Sequence, residues 1–439
     1  MGESPQSEAG LGSSSVRIRI KKIVYPGRSL GETGGKVIFT DDGIPGELVE
    51  IQPLREKASF IEARTTAVIE ASPHRVEPRC GHYKACSPWQ SIEHALQLEI
   101  KAGQVREIFS RELKMDLAEL PVIPSPLIWG YRNRARFHIL WEADAAYASY
   151  HEPGEEAEFI RTERCHLVPD EINGLLEFIV EALGSAGARG VTDVEIRRSG
   201  ADGRMLVAAF IEPGSDADGI REAFRGITGG FPQAGGIGLV RNGRRLVEIP
   251  LFGKGRIEEC VAGARFRIGA RSFFQVNGGM LAAVAEDMRA VVAAEADPTI
   301  ADFHCGVGTF GILLAHGARE VFGIEPDEEN IRFLKKNLAL NHVGNYAVCE
   351  GAGEEWIDEI LERRTDIVIL DPPRRGVEPV LIAKLAGKPV PAVIYLSCNP
   401  STLARDLKGL FRAYRLDSVK VFDFFPHTPH VETLAVLKR

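Results

Sequence analysis

The residue with the clearest chemical potential is a cysteine where a strand should meet a helix. Cys398 follows the apolar run 394–396, and the next residues, Asn399 and Pro400, suit the N-cap and first position of a helix. The positive end of a helix dipole favours a thiolate over a thiol, whose unperturbed pKa is about 8.5. A lone cysteine is more often a small buried hydrophobe. The motifs around Cys398 favour a nucleophile instead.

A second pattern, upstream, is typical of a nucleoside site. Residues 299–303 read as a buried strand, 305–309 as a glycine turn that opens a helix, and 320–325 as a second strand ending in Glu325. Glycines let the backbone approach a ligand at a strand-to-helix crossover, and an acid about 20 residues further on can bind ribose hydroxyls. The turn lacks the lysine of a Walker loop, which argues against an ATPase. The pattern predicts a doubly wound sheet that binds a nucleoside.

A third strand should carry an acid to the same edge of the sheet. Residues 366–370 lead into Asp371, Pro372 and Pro373. Because proline cannot extend a central strand, the chain must leave the sheet at the acid, beside the ligand crevice. The alternative for Asp371 is a turn aspartate that caps the next helix.

These three blocks, in this order, resemble the S-adenosylmethionine-dependent methyltransferases. Residues 272–277 and 423–433 look like further signature motifs of the RNA uracil-5-methyltransferases, so the ordered motifs span about 160 residues. The resemblance extends over nearly the whole chain. It implies a multidomain α/β protein with an N-terminal OB-like β-barrel of the TRAM type, a central β-rich domain and a C-terminal Rossmann-like class I methyltransferase domain.

The same resemblance, with the distribution of glycine turns and alternating strands, divides the chain into five segments. They are a disordered tail (1–15), a TRAM or OB-like RNA-binding barrel (16–72), a cysteine-containing segment with a helical linker (73–125), a central β-rich RNA-binding domain (126–274) and the S-adenosylmethionine-dependent methyltransferase domain (275–439).

The chemistry explains why a thiol and an acid should occur together. Carbon 5 of uracil is a poor nucleophile until a thiolate adds to carbon 6, and the carbon 5 proton must be removed before the thiol can leave. The resemblance implies that Cys398 is the nucleophile and Glu432 the base of an enzyme that makes 5-methyluridine. The resemblance also implies contacts to S-adenosyl-L-methionine from Gln275, His304, Thr309, Glu325 and Asp371.

RNA contact is expected from local patches, because the net charge is −8. Arg132 and Arg134, in an arginine-rich and aromatic run, suit phosphates and stacking. Phe273 could stack on a flipped-out uridine or fill its place, and a structural role is the alternative. Among members of this family the barrel is more typical of those that modify 23S ribosomal RNA, so that substrate leads over transfer RNA.

Three cysteines raise the question of a metal. The family often carries four cysteines that hold an iron-sulfur cluster. Cys80, Cys86 and Cys165 match the first, second and distant fourth of them, whereas Trp89 stands at the third. Three thiolates could hold a 4Fe-4S cluster with one iron open, a nearby histidine could complete the site, or the metal could have been lost.

Composition limits the remaining possibilities. Seven cysteines in 439 residues form no disulfide scaffold, and no apolar run approaches the ~20 residues needed to cross a bilayer, so a cytoplasmic protein is expected. The sequence indicates no obligatory protein partner. The alternatives left open are a cytosine-5-methyltransferase, which uses the same thiolate chemistry, and an RNA-binding or chaperone module without catalysis.

Overall fold

The computed structural model describes residues 16–151, 158–243 and 245–439, and the predicted disordered tail 1–15 lies outside them. A closed barrel, a seven-stranded sheet and an eight-stranded sheet, with a separate two-stranded hairpin, follow one another along the chain. The predicted fold class, a multidomain α/β protein with an N-terminal barrel, is confirmed.

The barrel forms because apolar side chains alternate along short strands separated by glycine turns. Ile18, Ile20 and Ile38 are buried inside it, whereas the basic residues between them point outward. Its strands, in the spatial order β1-β2-β3-β5-β4, are β1 (Val16–Val24), β2 (Arg28–Thr33), β3 (Lys36–Thr40), β4 (Leu48–Glu56) and β5 (Phe60–Glu70).

The segment after the barrel packs on the C-terminal domain. It contains α1 (Tyr83–Cys86), a 3-10 turn (Pro88–Ser91), α2 (His94–Leu113) and β6 (Val122–Ile123). Val105 and Phe109 of α2 are fully buried in the core of the C-terminal domain, and β6 joins its sheet. The helix predicted as a linker is therefore part of the C-terminal domain.

The central domain is one sheet backed by helices on one face. Ile172, Leu175 and Ile179 of its first helix are fully buried against the sheet, at the spacing of one helical face. The strands, in the spatial order β13-β12-β11-β10-β7-β8-β9, and the helices are β7 (Arg134–Glu142), β8 (Ala145–His151), β9 (Phe159–Arg161), α3 (Asp170–Ala186), β10 (Val191–Arg198), β11 (Met205–Ile211), α4 (Ala217–Arg225), α5 (Ile227–Gly230), β12 (Ala234–Asn242) and β13 (Arg245–Phe252).

A separate hairpin, β14 (Arg256–Val261) and β15 (Ala264–Gly269), crosses from the central to the C-terminal domain. Phe266 and Ile268 are fully buried in the core of the C-terminal domain. The apolar core of the C-terminal domain therefore includes residues that precede the domain boundary predicted at 274–275.

The C-terminal domain is a doubly wound sheet with the strand order β18-β17-β16-β19-β20-β22-β21-β6. All residues of the central strands are buried, as expected for parallel strands covered on both faces. Its elements are α6 (Gly278–Ala293), β16 (Thr299–Phe303), α7 (Thr309–Leu314), a 3-10 turn (Ala315–Gly317), β17 (Glu320–Glu325), α8 (Glu328–Leu340), β18 (Tyr346–Glu350), α9 (Gly353–Glu362), β19 (Ile367–Leu370), α10 (Pro379–Gly387), β20 (Ala392–Ser397), α11 (Pro400–Leu410), β21 (Arg415–Phe422) and β22 (Glu432–Lys438).

The order of these strands creates a crevice between β16 and β19. From β16 the chain winds outward to β17 and β18, and it then returns to the other side of β16 as β19. Ligands of such sheets bind outside the carboxyl ends of the strands at this reversal. Among the described helices, none has both the length and the apolar character that crossing a bilayer requires.

A buried ion pair fixes α2 to the loop that precedes β22. Lys101 Nζ lies 2.6 Å from Asp423 Oδ1, and neither side chain is exposed to solvent. Lys101 also donates a hydrogen bond to the carbonyl of Phe425 (2.9 Å), and His94 Nε2 lies 2.8 Å from Asp423 Oδ2. Both carboxylate oxygens are therefore satisfied, which makes the burial of the pair tolerable.

Replacing Lys101 should destabilise the protein strongly. Lys101→Met leaves a buried carboxylate without its cation, which should lower the free energy of unfolding by about 3 kcal/mol or more in urea titrations. The matched control is Lys22→Met, since Lys22 pairs with Glu107 at 2.7 Å on the surface, and it should cost at most about 1 kcal/mol. Equal losses in the two variants would contradict the role given to the buried pair.

Candidate active site

Three predicted site residues meet at the carboxyl edge of the C-terminal sheet. Cys398 follows β20, Asp371 follows the neighbouring β19, and Glu432 begins β22. Antiparallel pairing joins Ser397 to Thr433, so the next residues, Cys398 and Glu432, lie across from each other. The fold thus brings a thiol and two carboxyl groups into one cleft.

The environment of Cys398 differs from the expectation based on its helix. Asn399 caps α11 as predicted, with its side chain accepting hydrogen bonds from two backbone amides. Burial nevertheless raises the pKa of Cys398 to about 11, and the charges of Glu432 and Asp371 act in the same direction while Arg374 opposes them. Desolvation and two neighbouring acids outweigh the helix dipole, so the free site favours the thiol rather than the predicted thiolate.

Both carboxyl groups are also shifted toward their neutral forms. Burial raises the pKa of Asp371 to about 7. The side chain of Glu432 is fully buried, and burial raises its pKa well above the usual range, with the charge of Asp371 adding to the shift. A positive charge brought into the cleft would lower the pKa values of the thiol and of both acids together.

Arg374 is a functional candidate that the sequence analysis did not single out. It lies in the turn that follows Asp371, and its positive charge lowers the pKa values of Cys398 and Glu432. Its carbonyl accepts a hydrogen bond from Asn399 Nδ2 at 3.2 Å, which ties this turn to the cap of α11. The feature of the sequence that could have indicated Arg374 is its position three residues after Asp371, the acid that follows β19.

The predicted glycine turn has the geometry of a ligand cradle. Gly306 and Gly308 adopt φ values of 58° and 87°, which favour glycine. A side chain at Gly308 would collide with Leu334, whereas a Cβ at Gly306 would meet only open space. Glu325 Oε2 accepts a hydrogen bond from the Gly306 amide at 2.9 Å, so the turn and the acid meet as the spacing predicted.

Several buried polar atoms beside this turn have no hydrogen-bond partner among the described residues. They are Asp302 Oδ1 and the pair His304 Nε2 and Glu378 Oε2, which lie 3.6 Å apart. Burial raises the pKa of Asp302 to about 8 and lowers the pKa of His304. Unsatisfied buried groups at the mouth of a cradle fit a polar ligand that supplies the missing hydrogen bonds.

Of the other predicted cofactor residues, His304 and Thr309 flank the glycine turn in the chain, and Gln275 precedes α6. Thr309 is the first residue of α7, directly after the turn, and Gln275 is partly exposed just before α6. His304 follows β16 with a φ of 61°, an uncommon conformation for a histidine.

The predicted RNA contacts differ in their exposure. Phe273 is 57% exposed, an unusual state for a large apolar side chain two residues from Gln275. Arg132 is partly buried. Arg134 begins β7, where its guanidinium lies 3.7 Å from Glu195 and its side chain is 24% exposed. Phe273 is therefore the most exposed of the three residues.

The three cysteines considered for a metal do not have a suitable arrangement. Among the described residues, no group of three or more His, Cys, Asp or Glu is placed to hold a metal ion. Cys80 Sγ instead accepts a hydrogen bond from Gln90 Nε2 at 3.2 Å, and Trp89, at the position of the missing cysteine, is buried in an apolar cluster. Burial raises the pKa of Cys86, and Cys165 and Cys80 nevertheless lie near enough for their charges to raise it further. The described residues therefore show three neighbouring cysteines without a complete set of cluster ligands.

The glycine cradle, the acid that ends β17 and the crevice at the strand reversal define a class I S-adenosylmethionine-dependent methyltransferase. Residues 261–439 match the model of the tRNA (Uracil-5-)-methyltransferase family. An uncharacterised RNA methyltransferase of Gloeobacter violaceus is 31% identical over the full length of both chains, and one of Caldanaerobacter subterraneus is 29% identical over 97% of this chain and 98% of its own. The chain therefore belongs to the same family of RNA methyltransferases as the Gloeobacter protein, and its C-terminal part matches the uracil-5 type.

A solved structure shares the fold over almost the whole molecule. The Pyrococcus abyssi tRNA (uracil-54, C5)-methyltransferase, crystallised with S-adenosyl-L-homocysteine, superposes with a TM-score of 0.75. The alignment covers 96% of this chain and 100% of that protein at 24% identity. The shared architecture includes the N-terminal half as well as the catalytic domain.

Removing the acid after β19 should change how stability depends on pH. The folded pKa of Asp371, about 7, exceeds the unfolded value of about 3.9, so its contribution to stability is present below about pH 4 and is lost as the pH rises through 7. Asp371→Asn should lose on the order of 4 kcal/mol less than the wild type over that rise, because each pKa unit corresponds to about 1.4 kcal/mol; the measurement is urea unfolding of the ligand-free protein. The control Asp144→Asn, at a fully exposed carboxyl, should show the same dependence of unfolding free energy on pH as the wild type. The same dependence in Asp371→Asn would contradict the raised pKa of Asp371.

Proposed function

We propose that the protein methylates carbon 5 of a uridine in RNA through a covalent bond between Cys398 and carbon 6 of the base. The observation that carries the proposal is the placement of Cys398 opposite Glu432, at adjoining ends of β20 and β22, with Asp371 at the end of β19. A thiol and a carboxyl group on directly opposed strand ends can both reach one pyrimidine ring. Neither group alone would complete the reaction.

Each residue has a distinct part in the reaction. The Cys398 sulfur adds to carbon 6, and the electrons of the double bond between carbons 5 and 6 move onto the carbonyl as an enolate. Carbon 5 then takes the methyl group that S-adenosylmethionine supplies. Glu432 removes the proton from carbon 5, the double bond forms again, and the thiolate leaves. We assign the binding of S-adenosylmethionine to Gln275, His304, Thr309, Glu325 and Asp371.

The charge state of the cleft provides a reason for ordered binding. In the free protein, burial and mutual repulsion favour the neutral forms of Cys398 and Glu432. The cofactor is a cation, and Arg374 is a second one at the cleft, so occupation should favour the thiolate and the carboxylate that the reaction needs. The nucleophile would then form mainly when the methyl donor is present.

The first test concerns the nucleophile. RNA containing 5-fluorouridine should form an adduct with the wild-type enzyme and S-adenosylmethionine that survives denaturation, because fluorine cannot be removed as a proton. Cys398→Ala should form none on denaturing gels. Cys260→Ala, which removes an exposed cysteine outside the cleft, should react like the wild type, and an undiminished adduct with Cys398→Ala would refute the assignment.

The second test concerns the base. Glu432→Gln should still form the methylated adduct but release it at least about 100-fold more slowly, because an amide cannot accept the carbon 5 proton. Mass spectrometry should therefore detect protein joined to methylated RNA. Glu350→Gln, at an exposed acid at the end of β18, serves as the control, and normal turnover by Glu432→Gln would exclude the role.

The third test concerns the target base. Phe273→Ala should weaken RNA binding about tenfold, since stacking of one base on an aromatic ring contributes ~1–3 kcal/mol, and it should leave binding of S-adenosylhomocysteine unchanged. Phe159→Ala removes another exposed aromatic ring, 44% exposed on the outer strand of the central sheet, and should bind RNA normally. Equal affinities of the wild type and Phe273→Ala, measured by filter binding, would show that the ring has no such contact.

The RNA itself is proposed from the type of barrel, which favours 23S ribosomal RNA over transfer RNA. The related P. abyssi enzyme acts on uracil 54 of tRNA, so transfer RNA is the second candidate. Mass mapping of both RNA classes from a deletion strain distinguishes them, because one 5-methyluridine should be lost from one class. Loss of a 5-methylcytidine would support the cytosine alternative, and an unchanged pattern would support a non-catalytic RNA-binding protein.

A further inference from the structure

The exposed ring of Phe273 lies in a segment that is otherwise held on both sides. Its neighbours Ser272 and Phe274 are buried, and Phe274 packs in the core of the C-terminal domain. After Phe273, the carbonyl of Val276 accepts a hydrogen bond from the backbone amide of Asn133 at 2.9 Å. A ring on a fixed backbone loses little freedom when it meets a base, so the contacts that fix this segment also affect RNA binding.

An arginine of the central domain fixes the peptide group directly before this ring. Arg197, on β10, donates a hydrogen bond from Nη2 to the carbonyl of Ser272 at 3.0 Å. The carbonyl carbon of Ser272 is bonded to the backbone nitrogen of Phe273, and the two lie in one planar peptide group. The hydrogen bond therefore restrains the peptide group from which the Phe273 residue projects.

Arg197 is a costly residue at this position. Its side chain is 3% exposed, and Glu195 Oε1 lies 3.7 Å from Arg197 Nη2, beyond hydrogen-bond distance. Arg197 Nη1 has no hydrogen-bond partner among the residues that the structure describes. Burial lowers the pKa of Arg197 to about 10, so the guanidinium stays charged at neutral pH. Because an apolar side chain would fill this space at less cost, the arrangement favours a role in positioning rather than in stability.

We propose that Arg197 is a positioning residue, which orients the Phe273 ring toward the target RNA by holding the Ser272 carbonyl. The central domain then contributes to RNA recognition through an arginine that is itself shielded from the RNA. The inference rests on the proposed function, because it requires Phe273 to contact a base.

A double-mutant cycle separates this role from a general effect on folding. Arg197→Met, Phe273→Ala and the double variant are compared with the wild type by filter binding of RNA. Phe273→Ala should lose about tenfold in affinity, and Arg197→Met at least about threefold, because a ring that must be ordered on binding binds more weakly. The double variant should bind no more weakly than Phe273→Ala, since Arg197 acts only through that ring. Binding of S-adenosylhomocysteine should be unchanged in all three variants.

Two further variants complete the experiment. Arg225→Met removes a surface arginine that pairs with Glu222 at 2.8 Å on α4, and it should bind RNA like the wild type. Arg197→Lys keeps a cation that can donate to the Ser272 carbonyl, so its loss should be smaller and should also disappear in the Phe273→Ala background. It takes the place of Arg197→Met in the cycle if that variant does not fold.

Four results would overturn the inference. Wild-type RNA affinity in Arg197→Met would show that the contact with the carbonyl does not affect the ring. Losses that multiply in the double variant, to about thirtyfold or more, would show that the two residues act independently. Equal losses of affinity for RNA and for S-adenosylhomocysteine would assign Arg197 to the general structure. Normal RNA binding by Phe273→Ala would refute the base contact and the inference together, whereas the 5-fluorouridine adduct of Cys398 tests the proposed reaction separately.

Discussion

The buried contact between Lys101 and Asp423 is the constraint on which the active site depends. The two charges are shielded from water, and the pair is stable only because His94 and the Phe425 carbonyl complete its hydrogen bonds. The loop that starts at Asp423 leads directly to Glu432. A helix from the N-terminal half of the chain thus sets the position of the proposed base.

Other contacts hold the same loop from different directions. Trp129 stacks on His427 with ring centroids 3.8 Å apart, Arg79 lies 4.4 Å above the Trp129 ring, and the Tyr131 hydroxyl donates a hydrogen bond to the Pro426 carbonyl at 3.1 Å. Two stretches of chain after the barrel, one at Arg79 and one at residues 129–131, therefore converge on one loop of the catalytic domain. Because α2, β6 and the hairpin β14–β15 also complete its core, the catalytic body includes much chain outside residues 275–439.

The sequence predicted local structure correctly where neighbouring residues determine it. The strands 299–303 and 320–325, the glycine turn and the cap at Asn399 agree with the structure, because burial patterns and capping are read from neighbouring residues. The predicted lowering of the Cys398 pKa was wrong, because burial and acids that other strands bring close raise this pKa. The position of α2 could not be foreseen for the same reason, because residues near it in the chain do not specify it.

The placement of β22 between β20 and β21 has a consequence for how the enzyme is made. The ribosome produces the strand with the thiol first, then β21, and only afterwards the strand that carries Glu432. Until β22 inserts, β20 and β21 each expose an unpaired strand edge that can hydrogen-bond with another chain. Because a slip of one residue would turn Glu432 to the opposite face, a misregistered insertion would give a folded but inactive protein. Correct biogenesis of this enzyme therefore depends on the register of a single late strand.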